Sequence, residues 1–409
     1  MISQIFKKYI LITTILLMFG IQAFACTTAI ISGKYTKDGR PLLWKLRDTD
    51  KHQNKLMYFT DGKYNYIGIV NSIDITGKEV WAGSNSTGFS IMNAASYNVN
   101  IENPNEFKDQ EGKIMKLALQ QCATLNDFEE LLNNLPKPLG LATSFGVIDA
   151  QGGAAYYETD NNGFVKFDAN DSRVAPQGYL IRTNFSFTGK KDLGYGYIRY
   201  QAAQELFSLA DATENINYKT IIQEFSRSFY HSLLKKDYAK DIEKYSNSPF
   251  FINSEDLITR QSSTSSMIVR GVKKGESAEY TTIWSIIGYP HTTIAIPVWV
   301  KGGKNIPKIL QANKNNISQI CDNGLKLKAR CYSINRGSGK KYMNISAIIN
   351  KNGTGIQQKL VPIENKIIEQ TNIKFNEWKH NKFNSENIQK FYSWMNDTIT
   401  AEYQNIFDL

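Results

Sequence analysis

The order of its segments predicts an α+β protein. Strand-like runs come first and a helical stretch follows. Strands return, two more helical stretches follow, and strands come again before a mixed C-terminal part. Segregated blocks of this kind favour layered α+β packing over a doubly wound parallel sheet. Composition agrees: 42% of the 409 residues are hydrophobic and 12% aromatic, with 22 Tyr and 21 Phe, which suits a globular chain rich in strands. No internal repeat and no Gly/Ser- or Pro-rich linker divides the chain, so a single domain over residues 26–409 is expected, its last hundred residues the least legible.

Residues 1–25 have a secretory pattern. Lys7 and Lys8 give a positive start, Ile10 to Phe19 an apolar stretch, and Ala23-Phe24-Ala25 the small residues of a cleavage site. Signal peptidase is the implied partner, and an exported, periplasmic or extracellular protein is the expectation. The apolar run is short for a membrane span, and no later stretch reaches about 18 apolar residues, so no transmembrane helix is expected. A cut after Ala25 would make Cys26 the first residue. Exported lipoproteins also begin at cysteine, but a Leu-like residue usually stands three places before it, where this chain has Ala23. A lipid-anchored, non-catalytic binding protein is therefore the alternative from a different class.

Along the mature chain, Cys26–Ser32 and Pro41–Leu46 read as strands joined by a turn at Lys37-Asp38-Gly39-Arg40. Further strand-like runs lie at Lys55–Phe59, Tyr66–Val70, Glu79–Ala82 and Phe89–Asn93. In residues 106–134, Leu117, Leu125, Phe128, Leu131 and Leu132 recur near helical spacing, and Pro136 and Pro138 end the pattern. A strand meander is expected over Thr143–Asp149, Ala154–Glu158 and Gly163–Phe167. Tyr197–Leu209 and Thr220–Leu234 read as helices, then Ser265–Arg270, Tyr280–Ile287 and Thr292–Val300 as strands. Thr371–Leu409 is polar and helical in pattern, with Trp378, Phe391 and Trp394 placed to dock it.

The net charge is +10; without Lys7 and Lys8, 46 basic side chains remain against 38 acidic ones, or +8. The lysines are spread out, with only short pairs such as Lys273-Lys274, which argues for a solvated surface and against a nucleic-acid partner. Four histidines (His52, His231, His291, His380) have no paired spacing and the four cysteines match no zinc pattern, so neither a metal nor another cofactor is expected. Cys321 and Cys331, ten residues apart, are placed to staple a hairpin in an oxidising compartment, while Cys122 reads as a small buried residue.

An N-terminal cysteine has a thiol with a reference pKa of about 8.5 and an α-amine of about 7.7–8.0 on one residue. Their approach needs little ordering. The thiolate can attack an amide carbonyl to give a thioester while the amine moves the proton, with no histidine required. Such a site gains from an arginine beside the thiol. It also gains from a carboxylate on the amine and an Asn amide on the oxyanion.

Cys26-Thr27-Thr28, the Asp38-Gly39 turn and Arg47-Asp48-Thr49-Asp50 resemble the linear-amide N-terminal nucleophile (Ntn) hydrolases: choloylglycine hydrolases, penicillin V acylases and isopenicillin-N N-acyltransferase-like peptidases. Asp48 stands where that group has Asn. Gly83-Ser84-Asn85-Ser86-Thr87-Gly88-Phe89 is similar to its Gly-x-Asn-Glu-x-Gly-Leu turn, and Asn93 follows on the next strand. Ser144–Asp149, Gly152-Gly153 and Tyr157-Glu158 look like its strand–turn–strand meander, and Arg182-Thr183-Asn184-Phe185 like its Thr-Asn segment. The resemblance spans residues 26–300. It implies a four-layer αββα sandwich, a small-molecule amide substrate with an apolar acyl group, and hydrolysis or acyl transfer through a Cys26 thioester. It assigns Arg47 to the thiol, Asp50 to the amine, Asn93 (with Asn85 as the competing choice) to the oxyanion hole, and Asn184 to the amine or substrate. The group's arginine before the following helix falls on Gly196 here, with Arg199 three residues on as a candidate substrate-binding residue.

Overall fold

The structure, a computed structural model, describes residues 26–102, 109–245, 248–381 and 383–409, without the side chains of 379–381. Residues 1–25, where a signal segment is expected, and the side chain of His380 therefore lie outside the described residues. Two antiparallel sheets form the centre. The six-stranded sheet runs β10-β1-β2-β11-β12-β13, where β1 is Thr27–Ile31, β2 Leu42–Asp48, β10 Tyr179–Arg182, β11 Ser263–Arg270, β12 Thr282–Ile287 and β13 Ile296–Val298. The seven-stranded sheet is a meander in chain order: β3 Asn54–Phe59, β4 Tyr66–Asn71, β5 Ala82–Asn85, β6 Ser90–Ala95, β7 Thr143–Ile148, β8 Ala154–Thr159 and β9 Phe164–Asp168. Short ladders pair 230–231 with 236–237, and Phe251–Asn253 with Tyr342–Asn344.

The sheets face each other, with β1 and β2 lying on β6 and β7. Every residue of β1 and β2 is buried because both faces are covered. Alternation along β2 then sorts its side chains. Trp44 points away from the second sheet, against Phe207 and Phe225, while Lys45 and Arg47 reach across to the second sheet.

Helices cover both outer faces, completing an αββα sandwich. Helices α1 (Glu111–Gln121) and α2 (Leu125–Asn134) bury Met115, Leu119, Phe128 and Leu132 against Phe89, Phe145 and Tyr157. Thr124 caps α2 in a reciprocal capping box with Asp127. On the other face α3 (Tyr197–Ala212) packs Ala202, Ala203 and Phe207 over the six-stranded sheet. The C-terminal residues belong to the same core. Helices α5 (Ile356–Asn381) and α6 (Ser385–Phe407) bring Trp378, Phe391 and Tyr392 around Trp299, and Trp394 stacks on Phe391. Among the described residues no helix is long and apolar enough to cross a membrane.

Four expectations are corrected. Cys321 and Cys331 staple no hairpin: both lie on one helix, α4 (Gln319–Cys331), with free thiols. Ten residues of helix separate them by about 15 Å, far beyond a disulfide's reach. The helix expected over Thr220–Leu234 stops at Phe225 as a π-turn, and the chain turns into the short ladder at Tyr230–His231. The turn expected at 83–88 begins later, because β5 runs to Asn85. The strand expected at Thr292–Val300 is only Ile296–Val298, following a 3₁₀ turn at Pro290–Thr292.

Candidate active site

Cys26 directly precedes β1. Thr27 pairs with Leu46 on β2, so Cys26 comes level with Arg47; Thr28 pairs with Arg182 on β10, so continuing that register brings Asn184 level with Cys26. Cys26 is 8% exposed.

The Arg47 guanidinium is buried. Nη1 donates to Asn54 Oδ1 (2.8 Å), Nη2 donates to Asn71 Oδ1 (2.9 Å), and the group lies over the Trp81 ring at 4.8 Å. Burial pushes its pKa down to about 10, and the nearby Cys26 thiol works in the opposite direction. Lys45, two residues earlier and on the same face, donates from Nζ to Asn93 Oδ1 (2.6 Å) and to the Trp81 carbonyl (2.7 Å). Burial lowers it to about 8, opposed first by Cys26. Asn93 Nδ2 donates to Thr143 Oγ1 (3.1 Å). The competing Asn85 is committed elsewhere: its amide donates to the Leu119 and Cys122 carbonyls and its Oδ1 accepts from Thr87, tying the end of α1 to a turn.

Arg199 is drawn into the same place. Although it lies in the first turn of α3, it is 2% exposed. Nη1 donates to the Cys26 carbonyl (2.8 Å) and Thr27 Oγ1 (3.0 Å), and Nη2 to Asn184 Oδ1 (2.9 Å). Asn184 Nδ2 in turn donates to the Ala95 carbonyl (2.9 Å). Arg199 thus holds the backbone of Cys26, whereas substrate contact was its expected role. Gly196, at φ 81°, makes this possible, since a Cβ there would collide with the guanidinium. Arg199→Met removes three hydrogen bonds from a charged donor. It is expected to cost about 3 kcal/mol of stability and to lower kcat through a displaced Cys26, measured by urea unfolding and initial rates.

Asp50 is not gathered in. It sits past the end of β2 with a side chain 47% exposed, accepting from Lys51 Nζ (3.0 Å) and the Thr49 hydroxyl (3.3 Å). Its neighbour Asp48 is buried and structural, accepting from Ser263 Oγ (2.6 Å) and Arg260 Nε (2.8 Å). His291 is a core residue, bonded to Gln357 and stacked on Phe229. Among the described residues no three His, Cys, Asp or Glu stand together as a metal site.

Sequence reasoning missed Lys45. The signal was present: strand periodicity puts residue 45 on the face of residue 47. A depression of about 550 Å³ bordered by Lys34, Asp149, Gly152 and Lys274 lies beyond the far end of β1, about 20 Å of strand from Cys26.

No protein-family model matches this chain, and no curated protein does. Solved structures to which it is similar include an N-acylethanolamine-hydrolyzing acid amidase ortholog from Caenorhabditis elegans, at 15% identity over 63% of this chain and 99% of that one, with a TM-score of 0.40. A variant of conjugated bile acid hydrolase from Clostridium perfringens is 11% identical over 67% and 92% of the two chains, with a TM-score of 0.38. Penicillin V acylase from Agrobacterium tumefaciens is 12% identical over 67% and 85%, with a TM-score of 0.34.

Proposed function

We propose that this chain is an exported N-terminal-nucleophile cysteine hydrolase that cleaves a linear amide C–N bond through a Cys26 thioester. One observation carries the reading. Lys45, Arg47 and Arg199 are three buried cations in the field of the one Cys26 thiol, and among the described residues their hydrogen-bond partners are neutral, the nearby carboxylates acting on them only through space. Buried charge without a directly bonded counter-charge is costly. A thiolate and a developing oxyanion are the anions that would offset it.

In this account the cut after Ala25 frees the Cys26 amine. The amine takes the thiol proton, and Sγ forms a bond to the amide carbon as the carbonyl electrons move to oxygen. Asn93 receives that oxyanion. Collapse breaks the C–N bond, and the amine returns the proton to the leaving nitrogen. Water then adds to the thioester, the C–S bond breaks, and the carboxylic acid leaves with the thiol restored. Asp50 is the carboxylate assigned to the amine after the cut. Asp50 pairs with Lys51 in this structure, so this assignment rests on the motif alone.

The test is turnover of a panel of amides (N-acyl amino acids, bile-salt conjugates, a penicillin and a fluorogenic long-chain arylamide) by the mature protein, with and without hydroxylamine. Cleavage of at least one amide that alkylation of Cys26 stops is expected. Cleavage that survives the alkylation would overturn the reading. Hydroxamate as the main product would turn it towards acyl transfer.

A further inference from the structure

We propose that Lys45 is a positioning residue for the oxyanion step: it fixes the Asn93 amide so that an Asn93 N–H, backed by the lysine's own charge, is presented to the oxyanion formed at Cys26. This rests on the Cys26 reading above.

The argument is one of hydrogen-bond direction. An Asn amide can sit in either of two orientations, with oxygen and nitrogen exchanged, and its partners decide between them. The Lys45 ammonium has three donors and no acceptor. At 2.6 Å from Asn93 it therefore compels the oxygen to face it. The other side of the amide agrees. The Thr143 hydroxyl gives its single hydrogen to the Ala94 carbonyl (2.9 Å), so towards Asn93 it can only accept. The chain of bonds runs one way, from Lys45 through Asn93 and Thr143 to Ala94. It uses one of the two Nδ2 hydrogens of Asn93 and two of the three hydrogens of Lys45. Among the described residues, one donor on each is left over.

A lysine that merely joined the two sheets would need no such arrangement, and a buried cation is an expensive sheet connector. Lys45 is 1% exposed, shares its face of β2 with Arg47 and is acted on by the charge of Cys26. Those are the conditions under which a fixed donor and a fixed charge assist a developing anion most, since nothing has to reorganise during the reaction.

The test needs no knowledge of the natural substrate. Acylation of Cys26 by 4-nitrophenyl acetate passes through a tetrahedral oxyanion. Alkylation of the same thiol by iodoacetamide does not. In Lys45→Met, acylation is expected to slow about 10- to 100-fold more than alkylation, which itself slows because the thiolate loses one of its cations. Asn93→Ala is expected to slow acylation to a similar extent while leaving alkylation nearly unchanged. The double variant should lose less than the sum of the two single losses, because part of the lysine's effect runs through that amide. Lys45→Gln keeps a donor without the charge and is expected to fall between wild type and Lys45→Met. It also serves, in its own cycle with Asn93→Ala, if Lys45→Met does not unfold cooperatively. Equal loss in acylation and alkylation, undiminished acylation, or additive losses in the double variant would each overturn the proposal. Failure of the underlying reading looks different: nitrophenol release in Cys26→Ala would then match wild type.

Discussion

Cys26→Ala is expected to lower amide turnover by roughly 10³-fold or more, with the fold intact. The loss is large because the account gives thiol and amine one task, and alanine keeps only the amine. The fold survives because what holds this position is backbone. Thr27–Ile31 pairs with β2 on one side, and its residues 28–31 pair with β10 on the other. The Arg199 bond is to the Cys26 carbonyl, which alanine retains. Loss of one small, nearly buried side chain costs about 1 kcal/mol. Initial rates and a urea unfolding curve on the same preparation separate the two effects. A Cys26→Ala protein at wild-type rate would remove the nucleophile from the account.

Arg227→Met is expected to be the most damaging single change to stability, at about 3–5 kcal/mol. Glu364 projects from α5 into the core, fully buried. It accepts from Arg227 Nη1 and Nη2 (both 2.7 Å), the Ala295 backbone N–H (2.7 Å) and Gln223 Nε2 (3.1 Å). Burial alone would raise its pKa. Arg227 and these donors win and hold it below the ordinary value of 4.5. A folded pKa below the unfolded one means that the pair's stabilisation is present above about pH 4.5 and is lost as pH falls through the folded value. Without Arg227 the sign reverses. Glu364 is then buried with its pKa raised, so the variant's deficit shrinks as acid protonates it. Urea unfolding at pH 7 and pH 5 should show a smaller difference between the two proteins at pH 5. A difference that does not depend on pH would contradict this.

The candidate site was legible where a short motif lies on regular strand geometry. Arg47 and Asn93 follow from runs that do become β2 and β6, and Asn184 follows from the segment after β10. Lys45 escaped because motif reading takes residues singly, whereas the face of a strand takes them two apart. Arg199 has the sequence context of a helix surface, and only the approach of α3 to the start of β1 buries it. Asp50 fits the motif, yet it lies beyond the last paired residue of β2, where neighbouring Lys51 competes for its charge. The layers were legible from segregated blocks, while tertiary packing decided the rest. The polar C-terminal stretch forms helices through its aromatics around Trp299. Cys321 and Cys331 fall on one helix where ten-residue spacing alone looked like a hairpin.

The most direct test of the N-terminal cysteine is the intact mass of the mature protein from the cells that make it. The account expects the unmodified mass of Cys26–Leu409 with four alkylatable thiols, and therefore a free α-amine beside the Cys26 thiol. A lipid-modified mass would remove the amine base and favour the anchored binding protein. A mass retaining residues before Cys26 would contradict the maturation on which the mechanism depends.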